Sequence, residues 1–132
     1  MKHFFMVVCC VGLIVLLGGC MEKEKQQKRE TVDFTVCTED QLPDEIKVMI
    51  MKKREKPFQF TYRLQKYSYI VIGYGEQNGG GYSITVDECT EDQNRIYVDT
   101  TLLGSEESRD DVKSYPYIVL KCLKSGKKVI FL

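Results

Sequence analysis

The sequence predicts an α+β fold: a small antiparallel β-sheet or open sandwich, with one helix after the first strand. Three observations predict it. Apolar and polar residues alternate with a period of two along most of the chain from Pro57 onward, as they do in half-buried strands. One segment before Pro57 follows the helical period instead. The turns between the strands are short, which favours antiparallel neighbours.

The first 19 residues are predicted to lie outside this fold. Lys2 is followed by an apolar run that ends at Gly18 and Gly19. The run is shorter than the ~20 residues that a membrane-spanning helix needs. A basic start, an apolar stretch and small residues at its end are typical of a signal peptide. We therefore predict a signal peptide over residues 1–19.

The end of this run, Leu17-Gly18-Gly19-Cys20, resembles the lipobox of bacterial lipoproteins. The resemblance implies that the Cys20 thiol receives a diacylglyceryl group and becomes the first residue of the mature chain. Cys20 would then anchor the protein to the outer face of the cell membrane. An ordinary signal peptide followed by a chance cysteine is the alternative.

The residues after Cys20 are predicted to form a polar tether. Residues 21–30 contain one apolar member, Met21, and so have almost nothing to bury in a core. We therefore divide the chain into a signal peptide (1–19), a lipidated tether (20–30) and a single domain (31–132).

The composition of the mature chain excludes several kinds of chemistry. Cleavage before Cys20 removes His3, the only histidine, and with it any Ser-His or Cys-His nucleophile pair and any histidine metal site. A charge close to neutral gives no general attraction to nucleic acid. We therefore expect a protein that is not an enzyme, with no cofactor, no bound metal and no nucleic-acid partner.

Three cysteines remain beside Cys20, and they show no C-x-x-C spacing: Cys37, Cys89 and Cys122. The lack of that spacing argues against a zinc ribbon or a thioredoxin-like centre. In an exported protein, two of these thiols could form a disulfide and leave one free. The alternative is that all three are small buried hydrophobic residues.

The first part of the domain contains a predicted strand and the predicted helix. Residues 31–37 alternate in polarity as a half-buried strand does. In the segment that follows, Leu42, Ile46, Met49 and Ile50 share one helical face. Pro43 suits the first helical turn, and acidic residues at the start and basic residues at the end match the helix dipole. Met49 and Met51 are predicted to fill the core.

The rest of the domain is predicted to be strands joined by short turns. The segment 67–74 is apolar on both faces, as in a central strand. A polar loop is expected at residues 103–114. The predicted strands are 57–64, 67–74, 82–87, 96–101, 117–123 and 128–132.

Glycines cluster between two of these strands. Gly73 and Gly75 interrupt a strand, which indicates a bulge or a close backbone neighbour. Residues 79–81 are three glycines directly before a predicted strand. A phosphate-binding loop precedes a helix instead, so these glycines are not predicted to bind phosphate. They form either an exposed backbone surface beside Tyr82, a residue type common at interfaces, or only a tolerant hairpin turn.

Two stretches carry a resemblance to a known family. They are G-Y-G-E-Q-N-G-G-G-Y-S-I-T-V at residues 73–86 and S-Y-P-Y-I-V-L-K at residues 114–121. Together they resemble the C-terminal domain of PrcB, the accessory lipoprotein of a bacterial surface protease complex, over about residues 67–132. This implies an exported, non-catalytic protein that binds or stabilises a protein partner. The implied partner-binding residues are Asn78, Gly79, Gly80, Gly81, Tyr82, Pro116 and Tyr117.

The loop also has a fainter similarity to another family. Residues 78–82 are similar to the protease-binding loop of chagasin-like cysteine-protease inhibitors. The proline and both threonines of that loop are missing here. Because of this similarity, a protease inhibitor that presents the Asn78–Tyr82 loop is the alternative function, and the missing residues place it second.

Overall fold

The computed structural model describes residues 28–104 and 111–132. The predicted signal peptide, Cys20 and the tether up to residue 27 lie outside the described residues. Among the described residues, no helix is long and apolar enough to cross a membrane. A 3-10 turn at Glu39–Gln41 precedes the helix α1 (Asp44–Lys53). The strands within the described ranges are β1 (Glu30–Thr31), β2 (Thr35–Val36), β3 (Pro57–Leu64), β4 (Tyr67–Tyr74), β5 (Gln77–Asn78), β6 (Ser83–Glu91), β7 (Arg95–Leu103), β8 (Lys113–Ser114), β9 (Tyr117–Leu123) and β10 (Lys128–Phe131).

The strands form two four-stranded sheets and a small ribbon. The first sheet has the order β1-β6-β7-β10, the second has the order β2-β9-β4-β3, and β5 pairs with β8 in the ribbon. The two sheets share one apolar core, and α1 covers the outer face of the second sheet. The predicted combination of antiparallel sheets with one helix is thus found, although strand residues make up 54% of the described residues.

The two central strands of the second sheet are buried on both faces. In β4, Ile70 and Ile72 face the first sheet, whereas Tyr69 and Val71 face the helix. Strand β9 divides in the same way. The prediction that residues 67–74 form a central strand is confirmed. The core between the sheets consists of Val32, Ile70, Ile72, Cys89, Ile96, Val98, Ile118, Leu120 and Cys122.

The helix buries a narrow stripe of side chains. Ile46 and Ile50 lie one turn apart and are buried against the second sheet, together with Leu42 from the preceding turn. Met49 is half-buried, but Met51 is 60% exposed. The prediction that Met51 fills the core is therefore wrong, because its position falls beside the i, i+4 stripe and not on it.

The predicted strand at residues 31–37 is divided between the two sheets. β1 pairs with β6 in the first sheet, and β2 pairs with β9 in the second. Between them Val32 enters the core, and its N–H donates to the carbonyl oxygen of Cys89 at 3.0 Å. The alternating pattern was real, but it belongs to a chain that crosses from one sheet to the other.

The last strand also departs from the antiparallel expectation. Although only a short turn follows β9, β10 does not pair with β9. It crosses to the first sheet and runs parallel to β7, with Lys128 opposite Arg95 and Phe131 opposite Val98. This pairing buries part of Val129 and Phe131 against the core between the sheets.

The three cysteines outside the N-terminal segment are free thiols in the structure. Cys89 and Cys122 are buried in the core between the sheets, as the hydrophobic alternative expects, whereas Cys37 is half-buried. Burial raises the pKa of the Cys89 thiol to about 11, and the neighbouring Cys122 and Glu91 add to the shift. Both core thiols therefore stay protonated near neutral pH.

Alkaline pH should destabilise the fold through Cys89. An exposed thiol ionises near pH 9 and the buried one near pH 11, so the unfolded chain loses its proton first. Stability should therefore be unaffected by this group below pH 9 and should fall as the pH rises towards 11. Melting temperatures measured from pH 8 to pH 10.5 should fall more steeply for the wild type than for Cys89→Ala. Parallel curves for the two proteins would contradict the assignment.

Candidate partner-binding site

The β5–β8 ribbon brings the two family-like stretches together. Gln77 lies opposite Ser114, and Asn78 lies opposite Lys113. Beyond this pair the Gly79 N–H donates to the carbonyl oxygen of Val112 at 2.7 Å. The Ser114 hydroxyl donates to the carbonyl oxygen of Gly79 at 2.6 Å. Residues 112–114 therefore support the beginning of the glycine loop, which we define as residues 78–82.

The three glycines of the loop have different conformations. Gly79 and Gly81 have φ angles of +86° and +80°, which side chains other than glycine rarely adopt. Gly80 is not among the described positive-φ glycines, is exposed, and has no atom within 4 Å of the position that a Cβ would take. Turn geometry thus accounts for two of the three glycines. Gly80 leaves an uncovered stretch of backbone at the tip.

Tyr82 closes the loop from the other side. Its hydroxyl donates to the carbonyl oxygen of Asn78 at 2.6 Å, and its side chain is only half-buried. The Asn78 side chain also contacts the Lys113 ammonium group across the ribbon. Tyr82 therefore holds the loop in one conformation while part of its ring stays accessible.

The two glycines before the loop are positions of close packing. The ring of Phe58 lies over Gly73 and occupies the space where a Cβ would be. Gly75 has a φ of +78°, and a Cβ there would lie 2.9 Å from the backbone nitrogen of Pro57. Of the two expectations for these glycines, the close neighbour is what the structure shows. The ladder irregularity in this part of the chain lies instead between Val86 and Glu88.

Pro116 and Tyr117 lie at the start of β9 and not in the glycine loop. The Pro116 carbonyl oxygen accepts from the N–H of Tyr74 at 3.0 Å and so joins the start of β9 to the end of β4. Tyr117 packs against the helix-side cluster. Burial raises the pKa of its phenol, and the charge of Glu39 adds to the shift. The predicted site residues thus form two patches, of which the glycine loop is one.

A comparison with protein-family models matches residues 68–122 to the family described as PrcB C-terminal. Over residues 68–122 the chain is therefore similar to the PrcB C-terminal family. The match runs from β4 to β9 and includes the glycine loop and its supporting ribbon. Searches of curated proteins and of solved structures found no match to this chain.

The matched segment meets the rest of the chain at the second patch. A groove of about 390 Å³ runs beside α1; we call it the helix groove, and its lining residues are Glu39, Lys47, Ile50, Met51, Arg54, Tyr115 and Tyr117. Only the two tyrosines belong to the matched segment. The exposed Met51 and the two phenol rings give this groove an apolar part.

Tyr115 connects the helix groove with the glycine loop. The Arg54 guanidinium lies 4.3 Å from the centre of the Tyr115 ring, within cation–π range. The Tyr115 hydroxyl donates to Glu76 at 3.2 Å, a contact that raises the pKa of the phenol. Neither Arg54 nor Tyr115 is among the site residues predicted from the sequence, although Tyr115 stands inside the S-Y-P-Y stretch.

The described residues provide no arrangement that is typical of metal chemistry. Within residues 28–104 and 111–132, no three histidine, cysteine or acidic side chains are close enough together to hold a metal ion. The glycine loop offers backbone groups and one tyrosine. Such groups can form hydrogen bonds and apolar contacts with another molecule.

Proposed function

We propose that this chain is a non-catalytic lipoprotein of the bacterial cell envelope, and that its PrcB C-terminal domain binds or stabilises a protein partner such as a surface protease complex. The observation that carries the proposal is the family match, which spans both the glycine loop and its supporting ribbon. The resemblance of residues 17–20 to a lipobox supports attachment to the outer face of the membrane through Cys20.

The geometry of the glycine loop supports a role in protein binding. The backbone at Gly80 is exposed and no side chain covers it, so a partner's backbone or side chain can approach its N–H and C=O groups. The hydrogen bonds of Gly79, Tyr82 and Ser114 already hold the loop in place. A loop that is ordered before binding loses less conformational entropy when it binds.

Site-specific crosslinking tests whether the loop contacts a partner. A photoreactive amino acid would replace Gly80, and a control would carry it at Ser125, in the exposed turn between β9 and β10. We expect irradiation of intact cells to capture a defined envelope protein through position 80 and not through position 125. Identical products from both positions would contradict the proposal. Capture of a cysteine protease through its active-site cleft would instead support the inhibitor alternative.

Two substitutions should weaken partner binding without unfolding the domain. Tyr82→Ala removes both the accessible ring and the bond to Asn78, and we expect it to cost about 2 kcal/mol of binding free energy. Gly80→Val places a branched side chain in open space at the loop tip. Both variants should recover less partner in a pull-down while their melting temperatures stay near that of the wild type. If both variants recover as much partner as the wild type does, the loop does not bind the partner and is only a turn.

Lipid attachment should depend on Cys20. Cells grown with a clickable palmitate analogue should label the wild-type protein strongly and the Cys20→Ala variant not at all. Two acyl chains anchor a protein far more stably than one, so the wild type should also stay with the membrane after a high-salt wash. Equal labelling of the two proteins would rule out Cys20 as the attachment site.

A further inference from the structure

The described chain enters the fold at one end of the sandwich. Lys28 and Glu30 lie beside Glu91 and Asp92 in a shallow depression, and β1 pairs with the last two residues of β6. Any anchor that precedes residue 28 must therefore approach the domain from this end. We call it the entry end and define it by residues 28–30, 65–66, 91–95 and 124–128.

Three turns meet at the entry end. Leu64 and Tyr67, on either side of the β3–β4 turn, are paired with each other, and Tyr67 also pairs with Leu123 at the end of β9. The N–H of Lys124 donates to the carbonyl oxygen of Lys66 at 2.9 Å. Lys128 pairs with Arg95 at the start of β7. These contacts bring the β3–β4, β6–β7 and β9–β10 turns to one end of the molecule.

The entry end carries an excess of positive charge. Its four segments contain seven basic residues and three acidic ones. Two of the basic side chains are in ion pairs, Arg29 with Glu88 at 2.9 Å and Lys127 with Glu91 at 2.5 Å. The lysines at positions 66, 124 and 128 are exposed and have no ion pair among the described contacts. A surface that is formed by three turns and the entering chain thus presents lysine ammonium groups to its surroundings.

The glycine loop lies at the opposite end. Strand β6 runs from Ser83, directly after the loop, to Glu91 at the entry end. Eight residue steps at about 3.3 Å each separate the two ends by roughly 26 Å. The last turn of α1 is also at the loop end, because the N–H of Glu76 donates to the carbonyl oxygen of Glu55 at 3.1 Å. The basic excess at the loop end is smaller than that at the entry end, two against four. The described charges near the loop are Lys52, Lys53, Arg54, Lys56 and Lys113 against Glu55, Glu76 and Asp111.

We propose that the basic entry end lies against the anionic phospholipid headgroups of the membrane that holds the lipid anchor, so that the glycine loop points away from the membrane. This inference rests on the lipid attachment in the proposed function. Seven residues separate Cys20 from Lys28, a reach of about 25 Å when fully extended. Such a tether keeps the entry end near the surface, and attraction to anionic lipid acts within about 8 Å at physiological salt.

The absence of tryptophan from the chain allows a direct test with single fluorescent reporters. Gln93→Trp places a reporter in an exposed turn of the entry end, and Gly80→Trp places one at the loop tip. The full-length lipoprotein, purified from membranes, would be inserted into nanodiscs of phosphatidylcholine and phosphatidylglycerol at about three to one. A spin-labelled headgroup lipid would quench tryptophan near the surface.

We expect the reporter at position 93 to be quenched at least about twofold more than the one at position 80. The difference should disappear in pure phosphatidylcholine and in about 1 M salt. It should also disappear when Lys66, Lys124 and Lys128 are changed to glutamine. The matched control changes Lys52, Lys53 and Lys56 to glutamine. It removes three exposed lysines from the other end and should keep the difference.

Two failures can be told apart. A mass spectrum without an acyl group on Cys20 would overturn the lipid attachment and this orientation with it. An acylated protein whose two reporters are quenched alike would overturn only the orientation. A difference that persists in neutral lipid or in the Lys66, Lys124 and Lys128 variant would overturn the attraction to anionic headgroups, because the tether alone would then account for the orientation. Circular dichroism of each variant would verify that it is folded.

Discussion

Replacing Leu120 with alanine should lower the free energy of unfolding by about 3 kcal/mol. Leu120 is fully buried in β9 and lies opposite Ile70, in the core that the two sheets share. Alanine would leave a cavity between two sheets that other core side chains hold apart, so the site cannot collapse to fill it. Denaturation by urea, monitored by circular dichroism, would measure the loss.

The same strand supplies the control for this prediction. Leu123 is three residues further along β9 and is 69% exposed. Leu123→Ala makes the same chemical change without opening a cavity, so the free energy of unfolding should change by no more than about 0.5 kcal/mol. Similar losses for the two variants would show that β9 is not buried as the structure has it.

Replacing Gly75 with alanine should have the second large effect, about 3 kcal/mol. Two costs combine at this position. The φ of +78° is unfavourable for alanine, and the new Cβ would lie 2.9 Å from the backbone nitrogen of Pro57. Backbone cannot move aside as the end of a flexible side chain can. The consequence should be a shift of β3 relative to the end of β4.

Substitutions at two other glycines measure the cost of the positive φ and the cost of the steric contact separately. Gly126 has a φ of +74° but open space around its Cβ position, so Gly126→Ala should cost only about 1 kcal/mol, from the backbone conformation. Gly80 has open space and is not among the positive-φ glycines, so Gly80→Ala should be neutral or stabilise by up to about 0.5 kcal/mol. Chemical denaturation of the three variants gives the order. A loss at Gly80 as large as that at Gly75 would contradict the loop geometry.

Local pattern was enough to predict the helix and the long strands. The apolar run at residues 67–74 identified a strand that is buried on both faces, and the period of 3.6 identified the helix that covers it. Neither pattern indicates which strands pair with each other in a sheet. Alternation at residues 31–37 has the same form whether the chain stays in one sheet or crosses to another, and only long-range pairing decides. The parallel position of β10 was missed for the same reason.

The candidate site was predictable in part. Glycines and the family-like stretches identified the loop at residues 78–82 and the segment that supports it. The individual φ angles could not be predicted, because three adjacent glycines are equally permissive and only the fold assigns them. Arg54 and Tyr115 were missed because their contact joins residues that are far apart in the sequence.

The crossing of the chain between the sheets at residues 30–36 has a mechanical consequence. A force applied at Lys28 along the direction of β1 would load the hydrogen bonds between β1 and β6 together, in shear. Val32 follows directly and is wedged into the core, so the first step of rupture would have to extract an apolar side chain. Tension on the proposed lipid tether would therefore be resisted at the very start of the domain.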